Sequence, residues 1–234
     1  MKTILMKLAG PLQSWGTRSH FETRHTDFYP SKSAVIGMIA ASLGLRRDED
    51  EGIQKLNDLD FAVRIDRQGL LLRDYHTARK YKPNGDFDRT YVTNRYYLED
   101  AVFVVAVGHQ DEAWIDSIVR GLEAPYFQPF MGRRSLPVPA DFLLEVTKTD
   151  VIEALRNLPR QAGRRFADDT PRKLTVYADA DLLTDKPSTL RKDRVLSFSQ
   201  KDRQFGYRAE AKMEIAVRDE QAAQEHDAFG AIGG

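Results

Sequence analysis

The chain has 234 residues, enough for one large domain or one domain with a sizeable extension, and its 41% hydrophobic content supports a buried core. Its 35 basic residues balance 35 acidic ones, which argues against indiscriminate coating of nucleic acid but leaves room for a local basic face. The absence of cysteine excludes disulfides, cysteine nucleophiles and Cys-ligated zinc, and no apolar run approaches the length of a membrane span. This composition suits a reducing, cytoplasmic setting.

Met1-Lys2-Thr3 leads into a short strand, not into a signal peptide. Residues 2–9 read as a buried strand ended by Pro11 and Gly16, and residues 17–30 as a polar, aromatic loop. Ser31 or Ser33 caps a helix with apolar positions at Val35, Ile36, Ile39, Ala40 and Leu43, which Gly44 stops. Ile53, Leu56 and Leu59 suggest a helical turn, and Phe61–Ile65 alternates like a strand. Pro83-Asn84-Gly85-Asp86 marks a hairpin turn between two polar arms, spanning about residues 70–98. Ala101–Val107 is a nearly continuous apolar strand, and Asp111–Leu122 an amphipathic helix. A loop with four prolines, residues 125–139, precedes a strand at Phe142–Val146.

Without the hairpin, this order gives an α+β, ferredoxin-like (RRM-like, βαββαβ) domain over residues 1–149, with the hairpin as an inserted thumb. Residues 150–220 read as a less regular C-terminal extension. Strands are suggested there at 174–177 and 212–217, and Arg156–Arg208 is locally basic, with 13 basic and 7 acidic residues. Residues 221–234 read as a disordered tail.

The thumb carries the best physical signal for RNA. Between Leu71 and Tyr97 stand six basic residues (Arg73, Arg79, Lys80, Lys82, Arg89, Arg95) against three acidic ones, interleaved with Tyr75, Tyr81, Tyr91, Tyr96 and Tyr97. Cations neutralise phosphates and aromatic faces stack on unpaired bases, at about 1–3 kcal/mol per base. A solvated ribbon with ordinary cross-strand tyrosine pairs accounts for the same pattern equally well. Arg133 and Arg134 after Gly132 present guanidinium forks to an anion, or form a plain surface turn. Ser31, Lys32 and Ser33 open a helix whose free N–H groups suit a phosphate, although Pro30 with a serine cap is also an ordinary helix start. The glycines of a Walker A loop are missing, which disfavours an NTPase. Trp15 reads as a core or loop anchor beside the candidate RNA contacts Arg18, His20, Arg24 and His25.

Metal-independent RNA cleavage needs a base, an acid and a cation at the phosphate. His20, His25 or His76 with Tyr29, Tyr75 or Lys80 supplies those residue types, as do many inactive RNA-binding surfaces. No histidine pair has metal-site spacing with carboxylates, and no metal or cofactor is expected.

Leu8-Ala9-Gly10-Pro11-Leu12-Gln13-Ser14-Trp15-Gly16, Pro30-Ser31-Lys32-Ser33 and Met131-Gly132-Arg133-Arg134-Ser135-Leu136-Pro137, in this order, resemble the CasD family. This is the subunit of the type I-E CRISPR surveillance complex (Cascade) that holds the 5′ end of the guide RNA. The resemblance runs through roughly the first 150 residues. It implies a non-catalytic RNA-binding role on the 5′ handle of mature CRISPR RNA, with the hairpin reaching over the guide. The implied partners are the backbone subunit and the large target-recognition subunit, with target DNA engaged only through the guide and no membrane. Candidate RNA-binding residues are then Trp15, Arg18, Arg24, Ser31, Lys32, Ser33, Arg73, His76, Arg79, Lys80, Tyr81, Arg89, Tyr91, Arg95, Arg133 and Arg134. A related subunit in type I-C systems is a guide-processing endoribonuclease using tyrosine, lysine and histidine. This chain lacks that enzyme's adjacent Lys-His pair, and Asp74-Tyr75-His76 replaces it poorly. An endoribonuclease remains the alternative, and an assembly protein whose basic hairpin meets another subunit is a third reading.

Overall fold

A computed structural model describes residues 1–16, 22–163 and 173–216. Its strands are β1 (Lys2–Ala9), β2 (Leu12–Gln13), β3 (Thr23–Arg24), β4 (Asp60–Arg67), β5 (Leu70–Tyr81), β6 (Phe87–Glu99), β7 (Val102–His109), β8 (Leu143–Thr147), β9 (Leu174–Asp179), β10 (Ser188–Ser197) and β11 (Gln204–Ile215). Its helices are α1 (Lys32–Ser42), α2 (Asp50–Lys55), α3 (Glu112–Glu123) and α4 (Val151–Asn157). The fold is mixed α+β. None of the described helices is long and apolar enough to cross a membrane.

Seven strands form one sheet in the order β10-β11-β9-β4-β7-β1-β8, with every neighbouring pair antiparallel. β7 is buried on both faces, which explains its unbroken apolar run. Phe103, Val105 and Val107 join Ile4, Met6 and Leu8 beneath α1 and α3. Val104 and Ala106 join Leu5 on the opposite face beneath α4. Gly44, at φ +80°, closes α1 in a backbone conformation that favours glycine.

The C-terminal region is not the irregular extension the sequence suggests. β9 pairs with β4 and carries β11 and β10 after it, so three strands complete the main sheet. The physical reason is an inverted pattern. Arg191, Asp193, Arg208 and Glu210 turn inward into an ionic network, while Leu190, Leu196 and Tyr207 are exposed. Hydrophobic periodicity therefore has the wrong sign there. α4 is also unannounced, being only seven residues long. Asp150 caps its N-terminus, and the buried Arg64, paired to Asp66, donates to the carbonyls of Leu155, Leu158 and Pro159 at its C-terminal end. The expected disordered tail, residues 221–234, lies outside the described residues.

The long hairpin β5–β6 stands apart from the main sheet, paired at its base with β2 and β3. It connects β4 directly to β7, so two neighbouring interior strands of the main sheet fix both ends of the ribbon.

Candidate nucleic-acid interface

The two glycine-bearing loops meet. Ser14 N–H donates to the Met131 carbonyl at 3.3 Å. Gly132, at φ +83°, lies so close to Ser14 that a Cβ there would stand 1.5 Å from its carbonyl oxygen. Only glycine satisfies both the backbone angle and that approach. This junction fixes the next residue, Arg133. Its Nη2 donates to the carbonyls of Arg24 and Tyr96, each at 3.1 Å, and its guanidinium lies 4.1 Å from the Tyr97 ring centroid.

β3 runs parallel beside β6 with Arg24 opposite Arg95. Alternation along strands puts those two side chains on one face of the ribbon. Arg24, Arg95 and Arg133 come from distant segments and form one cluster. Burial lowers the pKa of Arg133; Tyr97 partly offsets this, and the charges of Arg95 and Arg24 lower it further. Arg133 Nη1 and Arg95 Nε are buried without a hydrogen-bond partner. Among the described residues no carboxylate forms an ion pair with any of the three. Such an arrangement is costly alone and is relieved by an anion that accepts from several guanidinium N–H groups.

The opposite face carries His25 stacked on Tyr96, with centroids 5.3 Å apart, and Arg73 donating twice to Asn94 Oδ1 at 3.0 and 2.8 Å. Trp15 Nε1 donates to Gln13, and Trp15 N–H donates to the Thr26 hydroxyl, which ties it to the segment just after β3.

Several sequence candidates fall elsewhere. Trp15 is 1% exposed and serves as a core anchor, not a surface contact. Ser31, Lys32 and Ser33 are buried too. Ser31 caps α1, and the anion at that helix start is the chain's own Asp193, which accepts from Lys32 N–H at 2.9 Å. Lys32 Nζ donates to Asp179 and to the Asn57 carbonyl, both at 2.9 Å. A cation at a helix N-terminus does attract an anion here. That anion comes from β10, 161 residues away. Arg79, Lys80, Tyr81, Arg89 and Tyr91 are exposed on the distal thumb, His76 is half-buried against Thr93, and Arg134 is exposed beside Arg133. Arg18 lies outside the described residues, as does His20. Sequence reasoning did not assign Tyr96 and Tyr97 as site residues, although their place at the end of the tyrosine-rich arm marks them. Among the described residues no cluster of three or more His, Asp or Glu side chains is placed to hold a metal ion.

An ionic network links this region to the C-terminal strands. Arg191 bonds Asp27 at 3.1 Å and Glu210 at 3.2 Å and lies 4.2 Å from the Tyr29 ring. Arg208 bonds Asp179, Asp193 and Glu210. Burial and the neighbouring Glu210 push the Tyr29 phenol well above its ordinary value, with Arg191 opposing. These carboxylates hold Arg208 above the usual arginine range despite burial.

Comparison with known proteins gives a consistent picture. The family model described as CRISPR-associated protein (Cas_Cas5) matches residues 3–210. The chain is 32% identical over 182 residues to the CRISPR system Cascade subunit CasD of Escherichia coli (strain K12), covering 71% of this chain and 81% of that protein. A chain of a CRISPR RNA-guided surveillance complex superposes with a TM-score of 0.75 at 35% identity, covering 92% of this chain and 90% of the other. A crystal structure of a Cas protein gives a TM-score of 0.68 at 31% identity, covering 93% and 98%.

Proposed function

The chain belongs to the CRISPR-associated Cas5 family, and from that premise we propose that it is a non-catalytic RNA-binding subunit of a CRISPR surveillance complex, holding the 5′ handle of the mature CRISPR RNA. The observation that carries this reading is the Arg24–Arg95–Arg133 cluster, with two buried unpaired N–H groups and no carboxylate partner among the described residues. A phosphodiester is the anion this geometry suits, because its oxygens accept from several guanidinium donors at once. The neighbouring Tyr96–His25 stack and the thumb tyrosines offer faces for splayed bases. The order β8-β1-β7-β4 with α1 and α3 on one face supports the finer, ferredoxin-like reading of the core.

Assembly follows from the same premise. The partners are the backbone subunit and the large target-recognition subunit, in the cytoplasm, with target DNA read by base pairing to the guide. A non-catalytic role is supported by the surroundings of the histidines. His76 Nδ1 is 3.2 Å from the Thr93 hydroxyl, and His25 is stacked on Tyr96. No lysine or tyrosine hydroxyl bonds either ring among the described residues.

The test incubates purified protein with labelled repeat RNA and its mature 5′-handle fragment, in EDTA, at two salt concentrations. Binding that weakens with salt, without cleavage, is expected. A discrete cut within the repeat overturns the non-catalytic reading. Absence of binding overturns handle binding by the subunit alone.

A further inference from the structure

The apolar cluster beneath α4 reaches as far as Ala211 of β11. The same face of the sheet continues past it. Alternation carries it on to Ala209 and Tyr207, and register sets Leu190 of β10 opposite Ala209. None of these three is covered: Leu190 is 73% exposed and Tyr207 62%, and Ala209 is exposed beside them. Along β10 the exposed Leu190, Lys192, Arg194 and Leu196 alternate with the inward Arg191, Asp193 and Val195. Leu196 comes within 3.7 Å of where a Cβ on Gly206 would stand, so it lies along this surface as well. β10 is the last strand of its sheet, and no further strand flanks it among the described residues.

An exposed apolar row on an edge strand invites association unless something covers it. Its two cations are also unanswered. Arg191 and Arg208 on the inward face meet carboxylates, whereas Lys192 and Arg194 form no ion pair among the described residues. The surface suits an occupant that brings apolar side chains and negative charge together. Residues 217–234, outside the described residues, have that composition. Asp219, Glu220, Glu225 and Asp227 stand there against Arg218, a net −3 that the remaining residues balance in a chain of zero net charge, and Phe229 follows the last carboxylate closely. The segment also begins nearby. β11 ends at Ile215, six residues beyond Ala209, about 20 Å along the strand. Phe229 follows Ile215 by fourteen residues, and a chain of that length spans up to about 46 Å when extended. Tethering gives such a segment an effective concentration in about the millimolar range.

We propose that this C-terminal segment folds back over the outward β10–β11 face of its own chain, with the Phe229 ring packed against the Leu190–Tyr207–Leu196 row and the carboxylates of Glu225 and Asp227 answering Lys192 and Arg194. The segment supplies the two things the face lacks, an apolar cover and a counter-charge. Exposed ion pairs are weak, so the aromatic ring supplies most of the attraction and the carboxylates fix where it lies. The contact does not depend on RNA binding at the arginine cluster.

The chain has no cysteine, so Ala231→Cys in the full chain takes a single nitroxide label. Backbone amide intensities of the isotope-labelled protein are compared with the nitroxide oxidised and reduced. Loss of most of the intensity is expected at Lys192, Arg194, Tyr207 and Ala209, and far less at the thumb tip, Asn84 and Gly85. Three variants test the two parts of the contact. K192E/R194E and E225Q/D227N remove the charge pairing, and Phe229→Ser removes the ring at unchanged charge. Each should restore the Tyr207 and Ala209 amides. The substituted positions are exposed or lie outside the described residues, so folding is preserved. Undiminished intensity at this face, or a loss that survives all three variants, overturns the proposal. A loss that appears only when nitroxide-bearing chains are mixed with separate isotope-labelled ones gives the face to a second copy and overturns it too.

Discussion

Two basic regions of this molecule resemble each other in sequence and differ in what surrounds them. At the start of α1, Lys32 sits at a helix N-terminus with two serines beside it, an arrangement suited to phosphate. There the cations are fully answered: Lys32 meets Asp179, Arg208 meets Asp179, Asp193 and Glu210, and Arg191 meets Asp27 and Glu210. In the Arg24–Arg95–Arg133 cluster no carboxylate answers them among the described residues, and two N–H groups are left over. The lesson is that cation count does not define an anion site; the unmet donors do. The first region uses its charges to lock β10 and β11 onto α1, and the second keeps them available.

Breaking this contrast most severely means removing the junction that places Arg133. Gly132→Ala puts a Cβ against the Ser14 carbonyl at a positive φ. It should destabilise the protein by about 3 kcal/mol or more in urea denaturation, with loss of RNA binding. Next comes the split between the two regions. Lys32→Met should cost about 3 kcal/mol by leaving a buried carboxylate short of a partner, yet leave RNA affinity intact below the melting transition. Arg133→Gln should do the reverse, lowering affinity about tenfold with a salt slope reduced by about 0.7 and little loss in Tm. A Lys32 variant that loses RNA affinity while folded would collapse the distinction.

A finer test asks whether the locked region positions the open one. Asp27 lies three residues after Arg24, and Arg191 holds it. Asp27→Asn weakens that tie without touching the arginine cluster. Handle affinity should fall about threefold at unchanged salt slope, because loop ordering is then deferred to binding. A changed slope would mean that Asp27 acts through charge instead.

The smallest effect concerns Asp60, at the start of β4. Burial, then Asp181 and Asp179, hold its carboxyl above the ordinary value. The folded state thus binds this proton more tightly than the unfolded chain. Its stabilising contribution is present below the ordinary carboxylate pKa and is lost as pH rises through the folded value. Asp60→Asn removes that loss, so Tm should rise slightly at neutral pH, with the gain vanishing in acid. An unchanged difference across that range would count against the carboxyl as its source.

Much of the architecture was legible along the chain. Ser31 and Gly44 bracket α1, Pro83–Asp86 turns the thumb, and the unbroken run of β7 announces a strand covered on both faces. These are local rules of capping, turn geometry and alternation, and they act over a few residues. β10 and most of β11, of which only the end from Lys212 reads as a strand, escaped them because their charges point inward, and α4 because one buried arginine from β4 finishes it. Arg133 stood out through its preceding glycine, whereas Trp15 and Lys32 were misplaced as contacts because their burial depends on distant segments.

The sequence by itself determined the long strands and helices of the N-terminal region, though not the short β2 and β3 that brace the ribbon, together with the thumb and a family resemblance that the comparisons bear out. Only the tertiary structure decided which cations are free. Electrostatic pairing depends on distance in space: Lys32 finds Asp179 across 147 residues, while Arg24 and Arg95 come side by side and neither forms an ion pair with a carboxylate among the described residues. The alternation of side chains about a strand likewise assigned the thumb's residues to two faces only once the register of β5 on β6 was known.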